Sequence, residues 1–84
     1  MNDPKLTPEK FEILKLVNEI CKKNRYRLAP VKELVEIVTS QRNVRDVTVR
    51  KMIWKLSKEG YLENPLRGCW RLTKKGRNLL RKVG

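Results

Sequence analysis

The sequence contains no histidine and only two cysteines, Cys21 and Cys69, which are far apart and form no Cys-x-x-Cys pair. Without histidine, nucleophilic catalysis by Ser-His or Cys-His pairs is excluded. The ligand set and the spacing of a zinc site are also missing. The chain has neither a glycine-rich phosphate loop nor a suitable carboxylate pair, so we expect no enzyme activity, no cofactor and no metal site.

Long apolar segments are absent as well. No apolar run approaches the roughly 18 residues that a membrane-spanning helix needs, and the first residues, MNDPKLTPEKF, lack the apolar segment of a signal peptide. We therefore expect a cytoplasmic protein, associated with the nucleoid if it binds DNA. The 84 residues suffice for one domain, 1–84, with a modest core and with residues 1–6 as a flexible tail.

Acidic residues are scarce relative to basic ones, with 9 Asp and Glu against 21 Lys and Arg and a net charge of +12. The excess is uneven, because residues 44–84 hold twelve basic and three acidic residues. A basic half of this kind is typical of proteins that bind polyanions. The alternative is a lysine-rich surface that serves solubility, but solubility needs no concentration of charge in one half of the chain.

Apolar periodicity and capping signals predict four helices. The first begins at Pro8 with Thr7 as its N-cap, runs through EKFEILKLVNEICKKN, and has an apolar stripe wide enough to touch two neighbours. The second runs from Val31 to about Thr39. The third runs from about Val44 to Glu59, with Asn43 or Asp46 as its cap and Gly60 as its stop. Thr73 caps a short fourth helix that continues through Val83.

Short strands are predicted at Tyr26–Leu28, Tyr61–Glu63 and Cys69–Leu72. Asn64, Pro65 and Gly68 supply turn residues between the last two, which therefore form a β-hairpin. The predicted order is helix, short strand, helix, helix, hairpin, helix. The fold class is mainly α with a small β-hairpin.

The stretch VRKMIWKLSKEGYL, followed about ten residues later by RLTKKG, resembles the winged helix-turn-helix domains of small bacterial and archaeal transcription regulators. The resemblance covers the chain from about Thr7 to Val83. It implies a double-stranded DNA-binding protein that regulates transcription, with the third helix in the major groove and the hairpin, or wing, on adjacent backbone or in the minor groove. One departure is Arg45, which stands where the family often has a capping Ser or Thr.

The third helix has a basic face opposite its apolar stripe, and a helix of about 10–12 Å diameter fits the major groove. Residues near the N-terminus of such a helix enter deepest. The predicted major-groove residues are Arg45, Val47, Thr48, Arg50 and Lys51. The predicted backbone contacts are Trp54, Lys55, Lys58, Arg71, Lys74 and Lys75, and Arg67 lies at the wing tip. Asp46 is expected to act as a cap rather than as a base contact.

Trp54 is unusual on this face, because it is a large aromatic residue among basic ones. We expect it to pack beneath the hairpin as an anchor of the wing, with Trp70 as its partner or competitor for that space. The alternative is that its ring lies along the sugar-phosphate backbone of DNA.

The sequence also allows other functions and does not fix the oligomeric state. An RNA-binding winged helix of the ribosome-associated type and a nonspecific DNA-coating protein are alternatives, and a protein-docking winged helix is disfavoured by the basic third helix. A helix-turn-helix reads a short half-site, so a homodimer is expected. Its surfaces are the wide stripe of the first helix and Leu79, Leu80 and Val83.

Overall fold

The computed structural model describes residues 8–83. The helices and strands follow one another as α1 (Pro8–Lys23), β1 (Ala29–Pro30), α2 (Val31–Gln41), α3 (Asp46–Lys58), β2 (Leu62–Leu66), β3 (Cys69–Leu72) and α4 (Lys74–Val83). The three strands form an antiparallel sheet in the order β1-β3-β2. This arrangement confirms the predicted mainly helical fold class with a small β-hairpin. The predicted cap Thr7 and the predicted tail 1–6 lie outside the described residues.

The first strand lies later in the chain than predicted. Arg27 has a φ of 57°, and the N–H of Tyr26 binds the side-chain oxygen of Asn24 at 2.8 Å. These features make Tyr26–Leu28 part of a turn. The strand is instead Ala29–Pro30, which pairs with Trp70 and Cys69 on β3. Alternation of residue types did not reveal it, because two residues are too few to show a period.

The helix-turn-helix unit consists of α2, a turn over residues 42–45, and α3. Helix α3 begins at Asp46, two residues later than predicted, and its N-cap is Arg45 in an extended conformation without a side-chain capping bond. Both predicted caps, Asn43 and Asp46, are therefore wrong. At the other end of α3, Gly60 stops the helix as predicted. Its φ of 89° allows the N–H of Tyr61 to bind the carbonyl of Leu56 at 3.0 Å.

The hairpin is held at its base by the pairs Leu62↔Leu72 and Glu63↔Arg71, and it contains an irregularity between Glu63 and Leu66. The side-chain amide of Asn64 bridges this irregularity by donating to the carbonyls of Leu66 and Cys69. Strand β2 consequently extends beyond the predicted Glu63. The predicted cap of α4 is confirmed, because the Thr73 hydroxyl oxygen accepts the N–H of Gly76 at 3.1 Å.

One hydrophobic core joins all three long helices to the sheet. Its buried side chains are Ile13, Leu14, Val17, Ile20, Ala29, Leu34, Val35, Val38, Val49, Ile53, Leu56, Tyr61, Leu62 and Leu72. Leu79 and Leu80 of α4 are half-buried against this core, and α4 packs on α1. The wide stripe of α1 is thus covered on two sides within one chain, by the core and by α4.

Candidate nucleic-acid interface

The face of α3 that points away from the core is exposed and basic. Core contacts are made by Val49, Ile53 and Leu56. The side chains on the other side are all exposed: Arg45, Val47, Thr48, Arg50, Lys51, Trp54, Lys55 and Lys58. The structure therefore brings the predicted major-groove residues together with three of the predicted backbone residues on one continuous surface. We call this surface the α3 face.

Asp46 is the one acidic residue of α3, and it is bound to Arg50. The Nε–H of Arg50 donates to the Asp46 carboxylate at 2.7 Å, one helical turn away. Both side chains are about half exposed, so the pair contributes little to stability. The main consequence of the pair is the orientation of Arg50, since a hydrogen bond from Nε fixes the plane of the guanidinium and leaves its terminal N–H groups available. The i,i+4 spacing of Asp46 and Arg50 is the sequence signal that identifies this pair.

Trp54 does not anchor the wing. Its side chain is 56% exposed, and the ammonium of Lys58 lies 4.5 Å from the centroid of its ring. The half-buried tryptophan packed against the core is Trp70. The wing-anchor expectation is wrong because Leu62, Leu72 and Trp70 already fill the core side of the hairpin.

The wing is short, and its tip lies beside the start of α2. The carbonyl of Gly68 accepts the N–H of Val31 at 2.8 Å, and the φ of 77° at Gly68 makes the tight turn. Arg67 is exposed at this tip, as predicted. Leu66 beside it is 58% exposed. The exposure of Leu66 was not predicted, because a single apolar residue in a short strand carries no sign of whether it is buried.

The three predicted backbone residues beyond the wing are not part of the α3 face. Arg71 donates to the carboxylate of Glu63 across the hairpin. Lys74 lies with Arg71 along a groove between α1 and α4. The ammonium of Lys75 instead binds the carbonyl of Glu59 at 2.8 Å and lies 4.7 Å from the ring centroid of Tyr61. Lys75 thereby caps the C-terminus of α3 and connects it to α4.

Within residues 8–83, no three His, Cys, Asp or Glu side chains come together as a group able to hold a metal ion. Among the helices of the same part of the chain, none is both long enough and apolar enough to span a membrane.

A helix-turn-helix followed by a two-stranded wing, with a short strand before α2 completing the sheet, defines a winged helix-turn-helix fold. The chain is similar to the crystal structure of IdeR from T. acidophilum, with a TM-score of 0.71 and 24% sequence identity. The similarity covers 95% of this chain and 34% of that one, so the chain spans about a third of the length of that protein. This likeness shows the fold. No protein-family model matches the sequence, and a search of curated proteins finds no match.

Proposed function

We propose that this protein binds double-stranded DNA through the α3 face and acts as a sequence-specific transcription regulator. The observation that carries the proposal is the composition of that face. Four cations, Arg50, Lys51, Lys55 and Lys58, are exposed along α3, and the one carboxylate of the helix is held by Arg50. Such a row of positive charge attracts the phosphates on both sides of a groove.

Two apolar side chains on the same face support a docking role. Val47 and Trp54 are each 56% exposed among the cations. A small domain stabilises itself by burying large apolar groups, and leaving an indole in water forgoes that contribution. Bound DNA would bury both side chains, since Val47 can touch a thymine methyl and Trp54 can lie on the sugars of the backbone.

The order of residues along α3 suggests how the contacts are divided. Arg45, Val47, Thr48, Arg50 and Lys51 occupy the N-terminal half of the face, which enters the groove deepest in helix-turn-helix docking. Arg50, oriented by Asp46, is suited to a bidentate contact with a guanine edge. Lys55, Lys58 and Trp54 lie farther along and are suited to phosphates and sugars. Arg67 at the wing tip is suited to adjacent backbone or to the minor groove.

RNA binding is the second candidate, and one observation favours it. Trp54 and Tyr26 are 56% and 74% exposed, and exposed aromatic rings stack on the unpaired bases of RNA. Against it, Tyr26 lies on the turn after α1 and Trp54 on α3, so the two rings do not share a segment that would form one stacking platform. A nonspecific DNA-coating protein would bind all duplex sequences equally, whereas a regulator would bind a preferred sequence more tightly.

The homodimer stays a prediction. The prediction was based on the wide apolar stripe of α1. Within the described residues, part of that stripe is covered by the core and by α4 of the same chain. Leu79 and Leu80 are already half-buried, and the side chain of Val83 lies outside the described part. Sedimentation at high micromolar concentration decides the oligomeric state.

Charge reversal on α3 tests the proposed interface. We expect Lys51→Glu with Lys55→Glu to weaken binding to duplex DNA by more than about tenfold at moderate salt, because two cations of the α3 face become anions that the phosphates repel. The matched control is Lys15→Glu with Lys23→Glu, which changes the net charge equally at exposed positions of α1. Equal losses in the two variants, measured by fluorescence anisotropy, would show that DNA binding does not use the α3 face.

A further inference from the structure

A second basic surface lies between the C-terminal half of α1, strand β3 and the first turns of α4. It is an open groove of about 480 Å³. Five cations line it: Lys22, Arg27, Arg71, Lys74 and Arg77. They come from four separate parts of the chain, which is why the sequence pattern does not reveal them as a group. We call this the back groove.

The cations of the back groove are poorly balanced by acids. Glu63 is the one carboxylate among its described lining residues, and it is already bound to Arg71. Within residues 8–83, Lys22, Arg27 and Lys74 make no ion pair. Arg77 donates to the carbonyl of Leu72 at 3.3 Å. Like charges that converge without counter-charges repel one another, and an external polyanion relieves that repulsion.

The floor and rim of the groove suit a phosphate chain. Burial raises the pKa of the Cys21 thiol at the floor, although Arg71 opposes the shift, so this group is neutral at physiological pH and does not repel an anion. Tyr26, which precedes the lining residue Arg27 in the chain, has a side chain that is 74% exposed. Cations flanked by an exposed aromatic ring are typical of surfaces that bind a nucleic-acid backbone and stack on its sugars or bases.

The back groove is separate from the α3 face. None of the described residues that line it belongs to α3. Arg71 lies between Trp70 and Leu72 on β3, so its side chain is on the other face of the strand from theirs. The back groove and the α3 face have no residue in common, so a segment bound at one uses no side chain of the other.

We propose that the back groove binds the phosphodiester backbone of nucleic acid at a site of its own. Binding there does not depend on DNA binding by α3; that one copy of the protein holds two segments at once, the second of them in the groove, rests on the proposed function. The groove recognises phosphates and no base edges, so the second segment is held without sequence preference. Binding there is steeply dependent on salt, because each neutralised phosphate releases counterions.

The test is an NMR titration of the isotope-labelled full chain with a short random-sequence DNA duplex. It is run in the Lys51→Glu, Lys55→Glu background, so that failure of the α3 proposal does not affect the result. We expect the amide signals of Lys22, Arg27, Lys74 and Arg77 to shift with added duplex and to return as salt is raised. The same shifts should be lost in Lys22→Glu with Lys74→Glu and kept in the matched control, Lys23→Glu with Lys82→Glu.

Three outcomes would overturn the proposal. One is that the groove signals do not respond to duplex. A second is that the control pair abolishes the response as fully as the groove pair, which would make it a net-charge effect. The third is that inorganic phosphate, at the same total phosphate concentration, shifts the signals as far as duplex does, which would define a small-anion site. If the charge-reversed groove variant does not fold, Lys22→Gln with Lys74→Gln replaces it.

Discussion

Asp46 and Arg50 form an ion pair one turn apart at the start of α3, with the Arg50 Nε 2.7 Å from an Asp46 carboxylate oxygen. In an exposed setting such a pair adds little stability. It does restrict the rotation of a long side chain, and in the proposed interface this ordering of Arg50 reduces the entropy lost on binding DNA. Asp46 is not the helix cap that its place in the sequence indicated; the proposed interface makes it a positioning residue for Arg50.

Replacement of Asp46 by alanine should change specificity and affinity in opposite directions. Removal of a carboxylate from the α3 face should strengthen binding to random duplex DNA. The freed Arg50 should discriminate less at one base pair, where a good bidentate contact is worth about 1–3 kcal/mol. Binding measured on a selected duplex and its single-base variants checks this. The account is contradicted if Asp46→Ala keeps full discrimination at every position, while Arg50→Ala serves as the reference for complete loss.

Trp54 and Trp70 should respond differently to alanine replacement. Trp54→Ala removes an exposed side chain, so the free energy of unfolding should change by only about 0.5 kcal/mol, while DNA affinity falls. Trp70→Ala leaves a gap against the core and should cost about 2 kcal/mol or more. Urea unfolding and DNA-binding measurements on both variants separate the two roles. A large stability loss in Trp54→Ala would restore the wing-anchor interpretation.

Gly76 is required by close packing between α4 and the end of α3. A Cβ at this position would collide with the carbonyl oxygen of Tyr61. Gly76→Ala should therefore destabilise the fold by about 1–3 kcal/mol, although the same change in an open helix stabilises by about 1 kcal/mol. The control is Asn78→Ala, at an exposed position of the same helix. Thermal unfolding of the two variants should give shifts of opposite sign or very different size.

The Cys21 thiol should react slowly with alkylating reagents near neutral pH. Burial raises its pKa above that of an ordinary cysteine thiol, with Arg71 acting in the opposite direction. Since the thiolate is the reactive form, the pH profile of its alkylation should be displaced to higher pH relative to a small-molecule thiol. Because the folded state holds this proton more tightly than the unfolded state, the contribution of Cys21 to stability is lost as pH rises through that range. Mass spectrometry of alkylation against pH measures the displacement, and a profile matching the free thiol would contradict it.

Much of the architecture follows from local sequence. The 3.6-residue period identified all four helices, and Gly60 and Thr73 marked a helix end and a helix start through chemistry that depends on neighbouring residues alone. The basic face of α3 was also predictable, because it follows from which residues share one side of a helix.

Features that depend on distant packing were not predictable. Helix geometry places Trp54 on the basic side of α3, but only the packing of the hairpin shows that the wing does not cover it, because Trp70, Leu62 and Leu72 fill the inner side of the hairpin. The start of α3 was misplaced because residues 42–45 form a turn, in which the N–H of Val44 binds the carbonyl of Arg42 at 2.8 Å and Arg45 is extended. The back groove requires the approach of α1, β3 and α4, which no periodicity encodes.

The most direct test is binding of the full chain, by fluorescence anisotropy across a salt series, to three ligands: a DNA duplex enriched by selection, random duplex DNA and duplex RNA. Counterion release makes all three bind at low salt, so the comparison at physiological salt is decisive. The account predicts that the selected duplex stays tightly bound there while random DNA and RNA dissociate. Parallel weakening of all three ligands, with no preferred sequence, would contradict sequence-specific DNA recognition by α3.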